Sequence, residues 1–124
     1  MNWAYIAGFF DGEGSLGLNK LGANSNCWRV SLAQGTVPVL EEMKCFLEEE
    51  GISSRLELNT NLFHMSTKNH KSVHQLRITV RADVVKFCRG VLPYCIVKKT
   101  VVQDAIRFLR IYPPLHRYRH KLCA

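Results

Sequence analysis

Asp11 and Glu13 stand two residues apart in the stretch AYIAGFFDGEGSLGL, residues 4–18, each followed by a glycine. The apolar run before them, residues 3–11, reads as a buried helix that Gly12 ends, and Ser15–Leu21 alternates as a strand does. Both carboxylates therefore fall at the C-terminal end of a helix, where the macrodipole is already negative. A cation offsets that clash. A hard divalent ion such as Mg²⁺ binds through one or two carboxylates, with water and phosphate completing its shell. One pair of acids is too few for a site by itself, so a second set must come from elsewhere.

The same helix suggests where. Ala4, Gly8 and Gly12 recur at four-residue spacing, with Ala7 beside them and Tyr5, Ile6, Phe9 and Phe10 flanking. A stripe of small residues lets a partner backbone approach closely. Two copies of the helix packed on this stripe would bring two sets of carboxylates together at one end.

The elements that follow must position this end. LGANSN is turn chemistry, and CWRVSLAQ alternates again, which makes a hairpin. Pro38 opens PVLEEMKCFLEEEG with apolar residues at helical spacing and Gly51 as the stop. SRLELNT and VHQLRITV alternate; RADVVKFCRGVL is a short helix and YCIVKKTVVQDAIRFLRI, after Pro93, a longer one. Four half-apolar strands with separate helices describe an α+β domain, its helices covering one sheet face.

Alternation assigns the two faces. With Leu16, Leu18, Val30, Leu32, Leu56, Leu58, Leu76, Ile78 and Val80 toward the helices, the neighbours turn outward. The outward set is Ser15, Gly17, Asn19, Arg29, Ser31, Arg55, Glu57, Asn59, Gln75, Arg77 and Thr79. A broad polar, cationic face suits a nucleic-acid groove. Arg29, Arg55 and Arg77 can fork onto guanine, and Asn19 and Gln75 can read adenine.

Composition agrees. Lys and Arg outnumber Asp and Glu by 17 to 10, for a net charge of +7, which points to an acidic partner such as nucleic acid. At 124 residues the expectation is one domain, residues 1–124, with a motif helix at about 3–12 and a basic tail at about 112–124. The five cysteines form no C-x-x-C pair and sit among apolar neighbours, so reduced, buried thiols in an intracellular protein are expected. No apolar run reaches membrane-spanning length, and no organic cofactor motif occurs. His64, His70 and His74 lack zinc-finger spacing, His116 and His120 stand among arginines, and Trp28 reads as core.

IAGFFDGEG, Ile6 to Gly14, closely resembles the signature of the LAGLIDADG homing endonucleases, and the helix and strand order over residues 3–110 resembles theirs. The resemblance implies an αββαββα fold with a four-stranded antiparallel DNA-binding sheet in each subunit. With one copy of the motif it implies a homodimer, the motif helices forming the interface through Ala4, Ala7, Gly8 and Gly12. By position, Glu13 matches the metal-binding acid, where Asp is commoner and one methylene shorter. Gly12 would add its backbone carbonyl; Asp11 matches the earlier acid of the motif, which more often serves the helix end than the metal, and stands as a further candidate ligand. LPYCIVKK resembles a segment bearing a lysine near the scissile phosphate; Lys98 matches best and Lys99 second. Gln34 matches a polar residue that orients active-site water.

The implied activity is Mg²⁺-dependent double-strand DNA cleavage in intron homing, with Mn²⁺ or Ca²⁺ able to occupy the site. The target would be pseudo-palindromic and of about 20 base pairs. An intron RNA maturase or a non-cleaving DNA-binding protein of the same fold is the alternative. The expected compartment is an organelle or a prokaryotic cytoplasm.

Overall fold

The computed structural model describes residues 1–19, 27–58 and 73–111. Asn59, His64, His70, His116, His120, Cys123 and the basic tail lie outside the described residues. The elements run α1 (Trp3–Glu13), β1 (Gly14–Asn19), β2 (Cys27–Gln34), α2 (Val37–Glu49), β3 (Arg55–Glu57), β4 (His74–Ile78), α3 (Arg81–Val91) and α4 (Lys99–Ile111).

Asn2 caps α1, its side-chain oxygen accepting the Tyr5 N–H at 2.8 Å. The helix runs past Gly12 to Glu13, because the Gly14 N–H still donates to the Phe10 carbonyl. Gly14 rather than Gly12 makes the turn into the sheet. A Cβ at Gly14 would stand 2.5 Å from the Phe10 ring and 3.0 Å from Leu32, so the close approach of α1 to the sheet requires glycine there.

The sheet is antiparallel in the order β1-β2-β4-β3. Gly14, Leu32, Leu76 and Leu56 form one row across it, and Leu16, Val30 and Ile78 the next. Val30, Leu32, Leu76 and Ile78 are fully buried under the helices. Ile6 and Phe10 of α1, Leu40, Met43 and Leu47 of α2, Val84 and Phe87 of α3, and Val102 of α4 complete the core. Aromatic edges lock α1 in place: Phe10 meets Phe87 at 5.3 Å and Trp3 meets Phe46 at 5.3 Å.

Several expectations change at element ends. Leu18, in β1, is 38% exposed, and Leu58, one residue past the end of β3, is 55% exposed, so neither joins the core. The fourth strand stops at Ile78; Thr79 follows it, and Val80 is the N-cap of α3. The last helix begins at Lys99 rather than near Tyr94, since the Tyr94 and Cys95 amides turn back to the Val91 carbonyl. Among the cysteines, Cys88 and Cys95 are buried thiols, but Cys45 is exposed on α2. Trp28 is half-buried, its ring 5.6 Å from Phe108 of α4.

Candidate functional site

The C-terminal turn of α1 meets the turn that precedes α4. Asp11 presents both carboxylate oxygens to that turn: Oδ2 accepts the Ile96 N–H at 2.8 Å and Oδ1 the Lys98 N–H at 3.0 Å. The Lys98 ammonium comes back the other way. Its Nζ donates to the Asp11 carbonyl at 2.8 Å and lies 5.6 Å from the centre of the Phe10 ring. A cation on the last carbonyls of a helix opposes the negative end of the macrodipole.

These contacts tune the local titrations. Burial pushes Asp11 upward, but the amides of Ile96, Lys98 and Val97 and the Cys95 thiol outweigh it and hold the carboxyl below its ordinary value. The Cys95 thiol is pushed up to about 11, by burial first, then by the charge and hydrogen bond of Asp11, with Lys98 opposing. Cys88 rises to about 12 through burial and its neighbour Cys95.

Glu13 differs from Asp11 in every respect. It is exposed and has no hydrogen-bond or ion-pair partner among the described residues. The Gly12 carbonyl lies in the last turn, where helical amides run out. Among the described residues no three His, Cys, Asp or Glu side chains are grouped so as to hold a metal. Gln34 ends β2 two residues past the Gly14–Leu32 pair, opposite His74, and its Oε1 accepts the Gly35 N–H at 2.8 Å. Lys99 is exposed at the start of α4.

On the small-residue stripe, Ala4, Gly8 and Gly12 are exposed, and a Cβ at Gly8 or Gly12 would meet nothing within 4 Å. Ala7 is on the other side, fully buried in the subunit's own core. Sequence reasoning missed what adjoins the stripe's end. Ile96 and Val97, 84% and 76% exposed, crown the turn that Asp11 holds. The available signal is the apolar run YCIV straight after Pro93, which also fits the helical pattern of the residues that follow.

The sheet face away from the helices gathers most of the expected polar set. Ser15, Ser31, Arg77 and Arg55 form one row across all four strands; Gly17 and Arg29 form another, and Ala33, Gln75 and Glu57 a third. Glu57 links two arginines, at 3.0 Å to Arg55 and 3.1 Å to Arg77. Arg77 Nε also donates to Gln75 Oε1 at 2.8 Å, and Ser31 donates to the same oxygen at 3.4 Å. Three arginines against one glutamate leave the face cationic. Asn19 pairs with Cys27 at the far end of the β1–β2 ladder. No helix among the described residues is long and apolar enough to cross a membrane.

Comparison with solved structures yields the same architecture. The fold superposes on the homing endonuclease I-TnaI with a TM-score of 0.66 and 19% identity, covering 89% of this chain and 72% of that one. It superposes on the archaeal intron-encoded homing endonuclease I-Vdi141I, complexed with DNA, with a TM-score of 0.65, 21% identity and coverage of 87% and 66%. For the homing endonuclease I-CvuI, in complex with a DNA target in the presence of Mg, the values are 0.65, 14%, 87% and 65%. This chain thus spans a little under two thirds of the length of the last two, and at these identities the likeness is one of fold. No curated protein sequence matches. The family model of the LAGLIDADG-like domain matches residues 1–91, which include the acidic helix end, the β1–β2 hairpin and α3. With that match over most of its length, the chain belongs to the LAGLIDADG family.

Proposed function

We propose that the protein is a site-specific, divalent-metal-dependent DNA endonuclease that works as a homodimer on a long pseudo-palindromic duplex. One observation carries the reading: Glu13, without a partner among the described residues, ends α1, and Lys98 is tethered to the last turn of the same helix, which leads into a cationic sheet face. A phosphodiester backbone is the substrate that both would address. The DNA complexes of I-CvuI and I-Vdi141I support the partner.

Glu13 and the Gly12 carbonyl would hold Mg²⁺, or Mn²⁺ or Ca²⁺ in its place. An exposed, unengaged carboxylate beside a helix-end carbonyl is an all-oxygen donor set that fits such an ion, which keeps water and takes substrate phosphate as further ligands. When bound, the ion supplies Lewis-acid activation of water and of the leaving oxygen.

The chain's own groups do the rest. Lys98 spends one N–H on the Asp11 carbonyl and keeps two for a phosphate whose charge grows in the transition state. Gln34, whose oxygen is engaged, keeps its amide N–H groups to orient a water. Ala4, Gly8 and Gly12 would face the same stripe of a second copy and bring the second Glu13 into range. Arg29, Arg55 and Arg77, with Asn19 and Gln75, would read base edges in the major groove. Buried free thiols at Cys88 and Cys95 accord with an intracellular setting.

The test uses a duplex selected from a randomised library by binding to the purified protein. Glu13→Gln removes the anionic ligand and leaves the sheet face untouched. The expected result is loss of Mg²⁺-dependent cleavage with target affinity retained within about threefold. A variant that cuts at the wild-type rate refutes the assignment of Glu13.

A further inference from the structure

Asp11 and Lys98 are 87 residues apart and hold each other twice. The Asp11 side chain takes the main-chain N–H of Lys98 at 3.0 Å, and the Asp11 main chain takes the side-chain ammonium of Lys98 at 2.8 Å. The second carboxylate oxygen fixes the Ile96 N–H at 2.8 Å. Both ends of a long, flexible lysine are therefore referred to one residue of α1. The carboxylate accepts from main-chain amides and forms no ion pair with the ammonium, so the positive charge of Lys98 is left for another anion.

We propose that Asp11 is the positioning residue of Lys98 and not a metal ligand: it builds the 96–98 turn that keeps the ammonium at the end of the helix bearing Glu13. This rests on the endonuclease reading for its effect on rate, but the clamp itself is independent of it. Both Asp11 oxygens already accept main-chain N–H groups of the α3–α4 connection, whereas Glu13 has no partner among the described residues, and on this reading the two acids of the motif divide the labour. Glu13 faces the substrate, and Asp11 faces the protein.

The experiment compares wild type, Asp11→Asn, Asp11→Glu, Lys98→Ala and the double variant Asp11→Asn/Lys98→Ala. Amide hydrogen exchange at Ile96 and Lys98 reads the clamp without cleavage. Affinity for the selected duplex is measured in EDTA, and single-turnover cleavage is measured across a Mg²⁺ series. Asn keeps one acceptor and offers an N–H₂ where the other amide needs an oxygen, so at least one of the two amides should exchange roughly tenfold faster. Asp11→Asn should slow cleavage by about tenfold to a hundredfold, as expected for a displaced catalytic group, at unchanged affinity and Mg²⁺ midpoint. In the Lys98→Ala background it should cost less than about threefold more. Asp11→Glu, which keeps both acceptors, should fall between wild type and Asn in protection and in rate.

A shifted Mg²⁺ midpoint makes Asp11 a ligand and overturns the proposal. So do losses that multiply in the double variant, or wild-type protection of both amides in Asp11→Asn. If the wild type cuts no substrate, the endonuclease reading fails, and the exchange data still decide the clamp.

Discussion

Lys98 and Asp11 are individually unremarkable residues whose meaning comes from pairing across the chain. The folded carboxyl of Asp11 lies below its ordinary value of 3.8, so its amide bonds stabilise the fold fully above the unfolded value. That contribution is lost as the pH falls through the folded value. Denaturant titrations of wild type and Asp11→Asn should therefore differ by a constant amount from pH 5 to 7 and converge in more acid solution. A gap that persists at the acid end refutes the linkage. The thiols follow the same reasoning of burial. At pH 8, Cys88 and Cys95, pushed up to about 12 and 11, are almost wholly protonated and shielded. Iodoacetamide should label exposed Cys45 first and reach these two only on unfolding, as peptide mass spectrometry will report.

At the scale of elements, the crossing of α1 on α3 is decided by one glycine. A Cβ at Gly90 would stand 2.5 Å from the Trp3 ring, which is itself held by a bond from Nε1 to Glu50 at 3.1 Å. Helix propensity alone favours Gly90→Ala by about 1 kcal/mol. Overpacking a filled contact costs about 1–3 kcal/mol, so Gly90→Ala should be net destabilising in chemical denaturation. A gain in stability would mean that Trp3 swings away freely. On the sheet, Glu57 pairs with both Arg55 and Arg77. Surface pairs of this kind, here with Glu57 and Arg77 half-buried and Arg55 exposed, are worth about 0–1 kcal/mol, little against the phosphate contacts of the proposed complex. Glu57→Gln should therefore raise affinity for unrelated duplexes and steepen the slope of log K against log[salt] by about one unit. An unchanged slope would put the DNA elsewhere.

For the whole molecule, the exposed face of α1, with Ala4, Gly8 and Gly12, is the surface on which the proposed dimer depends. A Cβ built at Gly8 meets nothing within 4 Å among the described residues, and Gly8 is exposed, so a side chain there starts into open space within one subunit. Gly8→Leu should leave the circular dichroism spectrum intact while sedimentation shifts from dimer to monomer, because the leucine wedges a partner helix away. Cleavage would fall with it, since each site draws its second acid from the other copy in the proposed assembly. A wild-type protein that sediments as a monomer with and without DNA would remove the basis of that arrangement.

Period-2 alternation was enough to sort the two faces of the sheet. Leu16, Val30, Leu32, Leu76 and Ile78 turn to the helices, and Ser15, Arg29, Ser31, Arg55 and Arg77 turn away, because a strand has no other way to present side chains. The acidic end of α1 was equally legible, being carried by local motif chemistry. Strand and helix ends were not. Leu18 obeys the alternation yet stays exposed, and Leu58 lies past the end of its strand, since burial and strand length depend on tertiary contacts. Ala7 and Gly8 are neighbours in the same small-residue stripe, but only packing puts the first in the core and leaves the second open. The turn at 96–98 was beyond any local reading. Its residues are apolar and basic enough to be helical, and what unwinds them is a carboxylate 85 residues earlier. Patterns within one element are written in the chain; the contact between Asp11 and Lys98 exists only once the core has brought α1 and the α3–α4 connection together.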